Sequence, residues 1–219
     1  MPKGNICIEE LEEALSVDMY EKHIMHIEEL SSNRDWYVRA KLAILLGNYQ
    51  NKHAEATLLS LLNDKSYLVQ VEAINSLEAF PTEQVNAAVL SHISSNHPLV
   101  RGYVYRCICE MAYGKRAQQA RSCLYNVRER NTWARIMLRI SLLQLGELDE
   151  IHSLIQTFSR CNYLNKIAIL NGFADTVSKL GPRGKQEIKN FMNVIPANNN
   201  EASVQEAVNH LKKVLIENL

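Results

Sequence analysis

The residues of this chain that could carry out chemistry are few and scattered. His23 and His26 are three positions apart in a helical stretch and could join a carboxylate around a metal ion, but a third ligand is not evident. The sequence contains no GxSxG, GxGxxG, P-loop or HExxH motif. The remaining histidines, which have no Ser or Cys motif beside them, are His53, His92, His97, His152 and His210. We therefore predict no catalytic residue, no metal site and no cofactor.

The five cysteines also lack the spacing of a chemical site. Cys107 and Cys109 are two positions apart, so in a helix they point to different faces and form neither a CxxC redox pair nor a zinc knuckle. An odd number cannot all pair within the chain. We expect reduced, mostly buried side chains at Cys7, Cys107, Cys109, Cys123 and Cys161.

Charge is balanced over the chain but segregated along it. The 24 basic and 24 acidic residues give no global reason to bind nucleic acid or an anionic membrane. Residues 1–35 nevertheless contain nine acidic and three basic residues, whereas residues 101–140 contain nine basic and two acidic ones. The basic segment predicts a partner with an acidic surface.

The amino terminus and the apolar runs bear on localisation. The first fifteen residues become acidic where a signal peptide would need an apolar stretch, and no apolar run approaches the roughly 20 residues that span a bilayer. We predict a cytoplasmic protein that does not enter a membrane.

The elements that position all these residues follow from an internal repeat. The segment Asp35 to Gly47, DWYVRAKLAILLG, recurs in weaker form at shifts of 31, 31, 34 and 30 residues. Apolar residues in each copy are spaced by three and four, as one buried helical stripe requires, and a second amphipathic stretch lies between consecutive copies. The chain has only 5 prolines and 8 glycines, and it has no alternating β pattern. The unit is therefore a helical hairpin, and Leu46 and Leu77 belong to its predicted core stripe.

An Asp, a Val-Arg pair, Ala or Leu four positions on and a closing Leu-Gly resemble the HEAT repeat, especially the short bacterial form of phycobilisome-lyase-type proteins. The resemblance implies an all-α fold, an α-solenoid of about six antiparallel helix pairs of the HEAT/armadillo type. It predicts one repeat domain over residues 1–219. We expect an amino-terminal cap in residues 1–18, helix-hairpin repeats in 19–180 and capping helices in 181–219.

The arginine position of the resembled repeat forms a ladder along the chain. A planar guanidinium at a fixed turn position suits loop carbonyls and carboxylates, so we expect these residues to bind neighbouring loops. Gln70 and Asn165 break the series. Arg106 and Arg139 lie outside it and are predicted to meet an acidic partner instead. The ladder positions are Arg39, Gln70, Arg101, Arg135 and Asn165.

In the HEAT arrangement the Val-Arg helices line the concave side. With Leu42 and Leu46 in the core, Tyr37 and Lys41 fall on the opposite face, and the same register in later copies gives a row rich in Tyr, Trp, Arg and Met. The alternative is a register one residue off, or aromatic residues that fill gaps between hairpins. The predicted partner-binding residues are Tyr37, Lys41, Tyr103, Arg106, Trp133, Met137, Ile140 and Tyr163.

Three function classes follow. The first is a non-catalytic module, monomeric when free, that binds another protein on its concave face as an inhibitor or immunity protein against a toxin or nuclease. The second is a DNA-binding enzyme of the alkylpurine DNA glycosylase type, in which Asp35 with Trp36, or Trp133 with Arg135, would engage damaged duplex. The third, a bilin lyase or its partner, rests on fold analogy alone.

Overall fold

The computed structural model describes residues 24–195 and 201–218, and within the first helix it describes side chains from residue 27 onward. These residues form twelve α-helices and no strand, which confirms the all-α prediction. The helices are α1 Ile24–Ser31, α2 Trp36–Leu46, α3 Lys52–Leu61, α4 Tyr67–Leu77, α5 Glu83–Leu90, α6 Pro98–Glu110, α7 Lys115–Tyr125, α8 Thr132–Gln144, α9 Asp149–Phe158, α10 Tyr163–Val177, α11 Pro182–Val194 and α12 Ala202–Glu217.

The contacts between helices divide the chain into two compact units, Met1–Cys107 and Ile108–Leu219. In the first unit α1 packs on α3 and α2 packs on α4; in the second, α9 packs on α11, and α10 packs on both α8 and α12. Helices two apart in the chain are thus neighbours, so each unit has two rows of helices. The twelve described helices are the number that the predicted six or so pairs of an α-solenoid require.

The structure describes only some of the predicted segments of the domain. Helices α11 and α12 occupy the segment predicted as the carboxy-terminal cap. The amino-terminal cap at residues 1–18 lies outside the described residues. The single repeat domain over residues 1–219 stays a prediction.

Polar side chains begin many of the helices. Asp35 accepts a hydrogen bond from the Tyr37 amide at 2.9 Å, and Asn51 accepts one from the Ala54 amide at 2.9 Å. Thr82, Asn131 and Asn162 cap α5, α8 and α10 in the same way. These bonds satisfy amides that have no partner inside the helix. The helix starts are therefore set locally, which is why the repeat could be located from sequence.

We call the helices that contain the repeated segment, α2, α4, α6, α8 and α10, the first-row helices. They bury the predicted stripe. Leu42 and Leu46 in α2, and Leu77 in α4, are fully buried, which confirms the core of the first unit. In the second unit the core joins α8 through α12, with the Phe158 and Phe191 rings edge to face at a centroid distance of 5.2 Å.

The arginine ladder binds loops, as predicted. The buried Arg39 donates from Nη1 to the carbonyls of Asn33 at 2.5 Å and Arg34 at 3.2 Å. Arg101 donates to the carbonyl of Ser95 at 2.7 Å, six positions before it, and Arg135 donates to that of Arg130 at 3.3 Å. Each of these three arginines ties its helix to the loop that precedes it.

The sequence predicted that Gln70 interrupts the arginine ladder, and this prediction is wrong, because Gln70 makes the same kind of hydrogen bond. Its amide nitrogen donates to the carbonyl of Asp64 at 2.6 Å, again six positions before it. A neutral amide therefore keeps the geometry that an arginine has elsewhere, because one N–H donor suffices to bind one carbonyl.

No helix in the described part of the chain is long and apolar enough to cross a membrane. Of the four cysteines in this part, all of them free thiols, Cys107 and Cys109 are buried but Cys123 and Cys161 are only half-buried. Cys7 lies outside the described residues.

Candidate partner-binding site

The strongest exposed apolar feature of the first unit lies on α2. We call Trp36, Tyr37, Lys41 and Ile44 the α2 face. Tyr37 is 51% exposed and Ile44 is 46% exposed, although the opposite side of the same helix is fully buried. The Trp36 and Tyr37 rings meet edge to face at 6.0 Å, and the Lys41 ammonium lies 5.7 Å from the Tyr37 ring centroid. This surface holds two of the predicted site residues in the exposed position expected for them.

A second aromatic group of the first unit begins α4. The Tyr67 ring stacks on the His97 ring with centroids 3.6 Å apart and an angle of 11° between the planes. Tyr67 remains partly exposed. This contact joins the start of α4 to the loop before α6, which fits the alternative prediction that some aromatic residues fill gaps between hairpins.

Arg106 is not the uncompensated cation that the sequence predicted. Its Nη2 lies 2.9 Å from a carboxylate oxygen of Glu78 and donates to the Asn75 side chain, and its guanidinium lies 5.2 Å from the Tyr103 ring centroid. Arg106 and Tyr103 are half-buried. The pair contributes to packing within the first unit, and its charge is already balanced.

The second unit holds the other four predicted residues, in different environments. Tyr163, the first residue of α10, is 46% exposed, while Trp133 and Met137 on α8 are half-buried, Met137 against the core. Ile140 is only 6% exposed and lies inside the core. The predicted outward position of Ile140 is therefore wrong, because α10 covers this part of α8 at Gly172, where an added Cβ would collide with the Ile140 side chain.

Arg139 is likewise held inside its own unit rather than being available to a partner. Its Nη1 donates to the Ser153 carbonyl at 2.9 Å and to Thr157 Oγ1 at 3.1 Å, and its Nε lies 3.4 Å from a Glu150 carboxylate oxygen. Burial raises the pKa of Glu150, and Arg139 only partly opposes this effect.

Arg139 also borders a polar pocket that sequence reasoning did not foresee. The pocket has a volume of about 630 Å³ and lies between α8, the end of α9 and the start of α10. Arg135, Arg139, Arg160 and the half-buried Cys161 line it. Burial raises the pKa of the Cys161 thiol, with Lys166 opposing, so the thiol is not activated.

Several exposed side chains escaped the sequence analysis. Tyr113 and Tyr125 flank α7 and are both largely exposed. They lie outside the first-row helices to which the repeat register was applied, so the pattern carried no signal for them. Arg160 lies in a loop, where helical periodicity assigns no face.

The candidate metal pair could not be placed. His23 and the side chain of His26 lie outside the described residues. Within residues 24–195 and 201–218, no group of three or more His, Cys, Asp and Glu side chains could hold a metal ion. Asp35, the candidate carboxylate of a glycosylase, is engaged as a helix cap.

Two rows of paired helices, with first-row side chains bound to the preceding loops, define an all-helical repeat protein, an α-solenoid. Residues 26–109 match the family model for HEAT repeats. The match agrees with the resemblance to HEAT repeats that the repeated segment predicted.

Solved structures similar to this chain include two engineered proteins. One is 14% identical with a TM-score of 0.43, over 94% of this chain and 61% of that protein, so the chain spans less than two thirds of its length. The other is 12% identical with a TM-score of 0.45, over 89% of this chain and 97% of that protein. No curated protein matches the sequence.

Proposed function

We propose that this protein is a non-catalytic module that binds another protein through the α2 face. HEAT repeats typically serve as protein-interaction scaffolds, and stacked repeats present extended binding surfaces. The observation that carries the proposal is the exposure of Tyr37 and Ile44 on a helix whose other side is fully buried. Aromatic residues with a rigid backbone beneath them are the usual anchors of protein interfaces.

The chemistry of the face favours a partner with acidic groups around an apolar centre. Lys41 lies beside the Tyr37 ring and would meet a carboxylate at the rim of such an interface. Arg106 and Arg139 do not contribute, because Glu78 and Glu150 already balance them.

Within this class, an inhibitor or immunity protein that blocks a toxin or nuclease fits best. Such a protein needs a preformed surface that covers the site of another protein, and it needs no chemistry of its own. We propose that the protein acts in the cytoplasm and is monomeric until it meets its partner.

The test begins with a photo-crosslinking amino acid at position 41 to capture and identify the partner. The affinity of the purified partner is then measured for the wild type, Tyr37→Ala and Ile216→Ala. Ile216 is a matched control, because it is an exposed apolar residue on α12, 77% exposed. We expect Tyr37→Ala to weaken binding by about 2 kcal/mol, roughly thirtyfold, mainly through faster dissociation.

The control variant should leave the affinity unchanged, and Lys41→Glu should slow association most strongly at low salt. If Tyr37→Ala and Ile216→Ala bind the captured partner as tightly as the wild type, the α2 face is not the binding surface.

The glycosylase alternative stays a prediction. Asp35, its candidate carboxylate, is a helix cap whose oxygen accepts from the Tyr37 amide. Release of a modified base from duplex DNA by the purified protein, lost in Asp35→Asn, would establish it and overturn the non-catalytic proposal.

A further inference from the structure

The pocket of the second unit is lined by three arginines, of which, within the described part of the chain, only Arg139 is paired with a carboxylate, that of Glu150 outside the lining. Its described lining contains Arg135, Arg139 and Arg160 but neither Asp nor Glu. Arg160 is exposed, and its guanidinium forms no hydrogen bond or ion pair with the part of the chain that the structure describes. An oxyanion in this space would meet the guanidinium groups of Arg135 and Arg160, which have no carboxylate partner among the described residues and match phosphate oxygens in planar, paired hydrogen bonds.

The pocket is held in shape before any ligand arrives. Arg139 is fixed by the Ser153 carbonyl and Thr157 Oγ1, and Arg135 is fixed by the Arg130 carbonyl at 3.3 Å. Two of the three cations therefore lose little conformational entropy when a ligand binds. Glu150, the acid paired with Arg139, is half-buried and lies outside the lining.

The start of α10 lies at the same place. Asn162 caps this 15-residue helix by accepting from the Asn165 amide, and both residues line the pocket. The positive end of the helix dipole favours a negative charge there. The α10 terminus and the arginines thus act on the same space.

The lining also restricts what the anion is attached to. It consists of arginines, hydroxyl residues, amide residues and one cysteine, and it contains no aromatic ring. A nucleobase would find no stacking surface there. A volume of about 630 Å³ nevertheless leaves room for a polar carrier beside the charged group.

We propose that this pocket binds a phosphate monoester group on a polar carrier, either a sugar or polyol phosphate or a phosphorylated Ser or Thr side chain. This proposal rests on residues that do not belong to the α2 face, and it goes beyond the proposed function. Binding of a protein at the α2 face and binding of phosphate at the pocket can each fail without the other.

The experiment titrates inorganic phosphate into the full chain at constant ionic strength and measures the dissociation constant by NMR, with acetate as the control anion. Arg160→Gln is the main variant, because this exposed residue should be removable without loss of the fold. Arg128→Gln is the matched control: it removes the same charge from an exposed loop position of the same unit that does not line the pocket.

We expect phosphate to bind more tightly than acetate, and Arg160→Gln to weaken phosphate binding by roughly tenfold. Arg128→Gln should change it less than twofold. Equal binding of phosphate and acetate, or equal effects of the two variants, would overturn the proposal, because only diffuse charge would then be involved.

Two further titrations identify the carrier. A hexose 6-phosphate and a phosphoserine peptide are compared with inorganic phosphate and with their unphosphorylated forms. If either compound binds more tightly than inorganic phosphate and this gain is lost in Arg160→Gln, the result supports phosphate binding in the pocket and identifies the carrier. Binding of the unphosphorylated forms with the same affinity would contradict it.

Discussion

At the scale of single residues, Arg39 donates hydrogen bonds to two different loops of the first unit. Its Nε and Nη2 donate to the two carboxylate oxygens of Asp64 at 2.6 and 2.8 Å, while Nη1 binds the carbonyls of the loop before α2. The carboxylate also accepts from the Ser66 amide at 2.8 Å. One guanidinium therefore joins the loops before two successive first-row helices. Because the Arg39 side chain is buried and the Asp64 side chain is only 9% exposed, this pair matters most when one of its members is removed.

The first prediction concerns this pair. Asp64→Asn should lower the free energy of unfolding by about 3 kcal/mol, because it leaves the buried Arg39 cation without its counter-ion. Asp35→Asn makes the same chemical change at an exposed helix cap, where Asn caps as well as Asp and only a longer-range attraction to Arg39 is lost, so it should cost far less, about 0.5 kcal/mol. Urea denaturation of both variants checks this. Equal midpoints would show that the pair contributes little.

The same pair predicts a pH dependence with a definite sign. Burial by itself would raise the pKa of Asp64, but the hydrogen bonds from Arg39 and Ser66 outweigh it and lower the pKa below its ordinary value of 3.8. The stability contribution is therefore fully present above that ordinary value and is lost as the pH falls through the lower folded value. The difference between wild type and Asp64→Asn should be large at about pH 7 and should shrink below about pH 3.

The second prediction compares buried apolar side chains of α2 and α4 with an exposed one of α2. Leu46→Ala and Leu77→Ala should each cost about 2 to 5 kcal/mol, because both side chains are fully buried. Ile44→Ala removes a similar apolar group from the exposed side of α2 and should cost far less. Denaturant midpoints measure all three. A loss for Ile44→Ala as large as that for Leu46→Ala would mean that the core side of α2 is wrongly assigned.

Between elements, α8 and α10 of the second unit approach each other closely. Gly172 lies at this crossing, and a Cβ at its position would overlap the Cγ1 and Cδ1 atoms of Ile140. A glycine inside a helix normally costs stability relative to alanine. Here its missing side chain lets α10 lie close to α8, and Ile140 becomes part of the core. The small residue therefore decides the burial of a residue 32 positions away.

The third prediction tests that crossing. Gly172→Ala should destabilise the protein by about 1 to 3 kcal/mol despite the better helix propensity of alanine, because Ile140 is buried and cannot move freely. In an Ile140→Ala background the same change should become neutral or stabilising. Gly181→Ala adds a methyl group with open space around it; because Gly181 is the N-cap of α11, this change should cost about 1 kcal/mol or less, and the Ile140→Ala background should not alter that cost. Additive effects of the two α8 and α10 substitutions would contradict the overlap.

Over the whole molecule, the two units carry different binding chemistries. The α2 face of the first unit is aromatic and apolar with one lysine, whereas the pocket of the second unit is polar with three arginines. The α2 face and the pocket have no residue in common. Tyr37→Ala should therefore leave phosphate binding unchanged, and Arg160→Gln should leave the affinity for the captured protein unchanged.

The sequence by itself determined the helices, their hairpin pairing, the buried stripe through Leu42, Leu46 and Leu77, and the loop-binding role of the arginine ladder. These features depend on local rules, namely apolar spacing along a helix and caps two or three residues from the amides they bind. They can be read from one segment at a time.

The tertiary structure decided which of the exposed residues remain available. Ile140 is buried where α10 crosses α8 at Gly172. Arg106 is paired with Glu78 and donates to Asn75, and Arg139 donates to the end of α9. The partners lie between 14 and 32 positions apart in the chain, so their contacts depend on how one hairpin packs against the next. Helical periodicity predicts only the face on which a residue lies. Whether another helix covers that face depends on packing across the core, where one missing Cβ changes the distance between two helices.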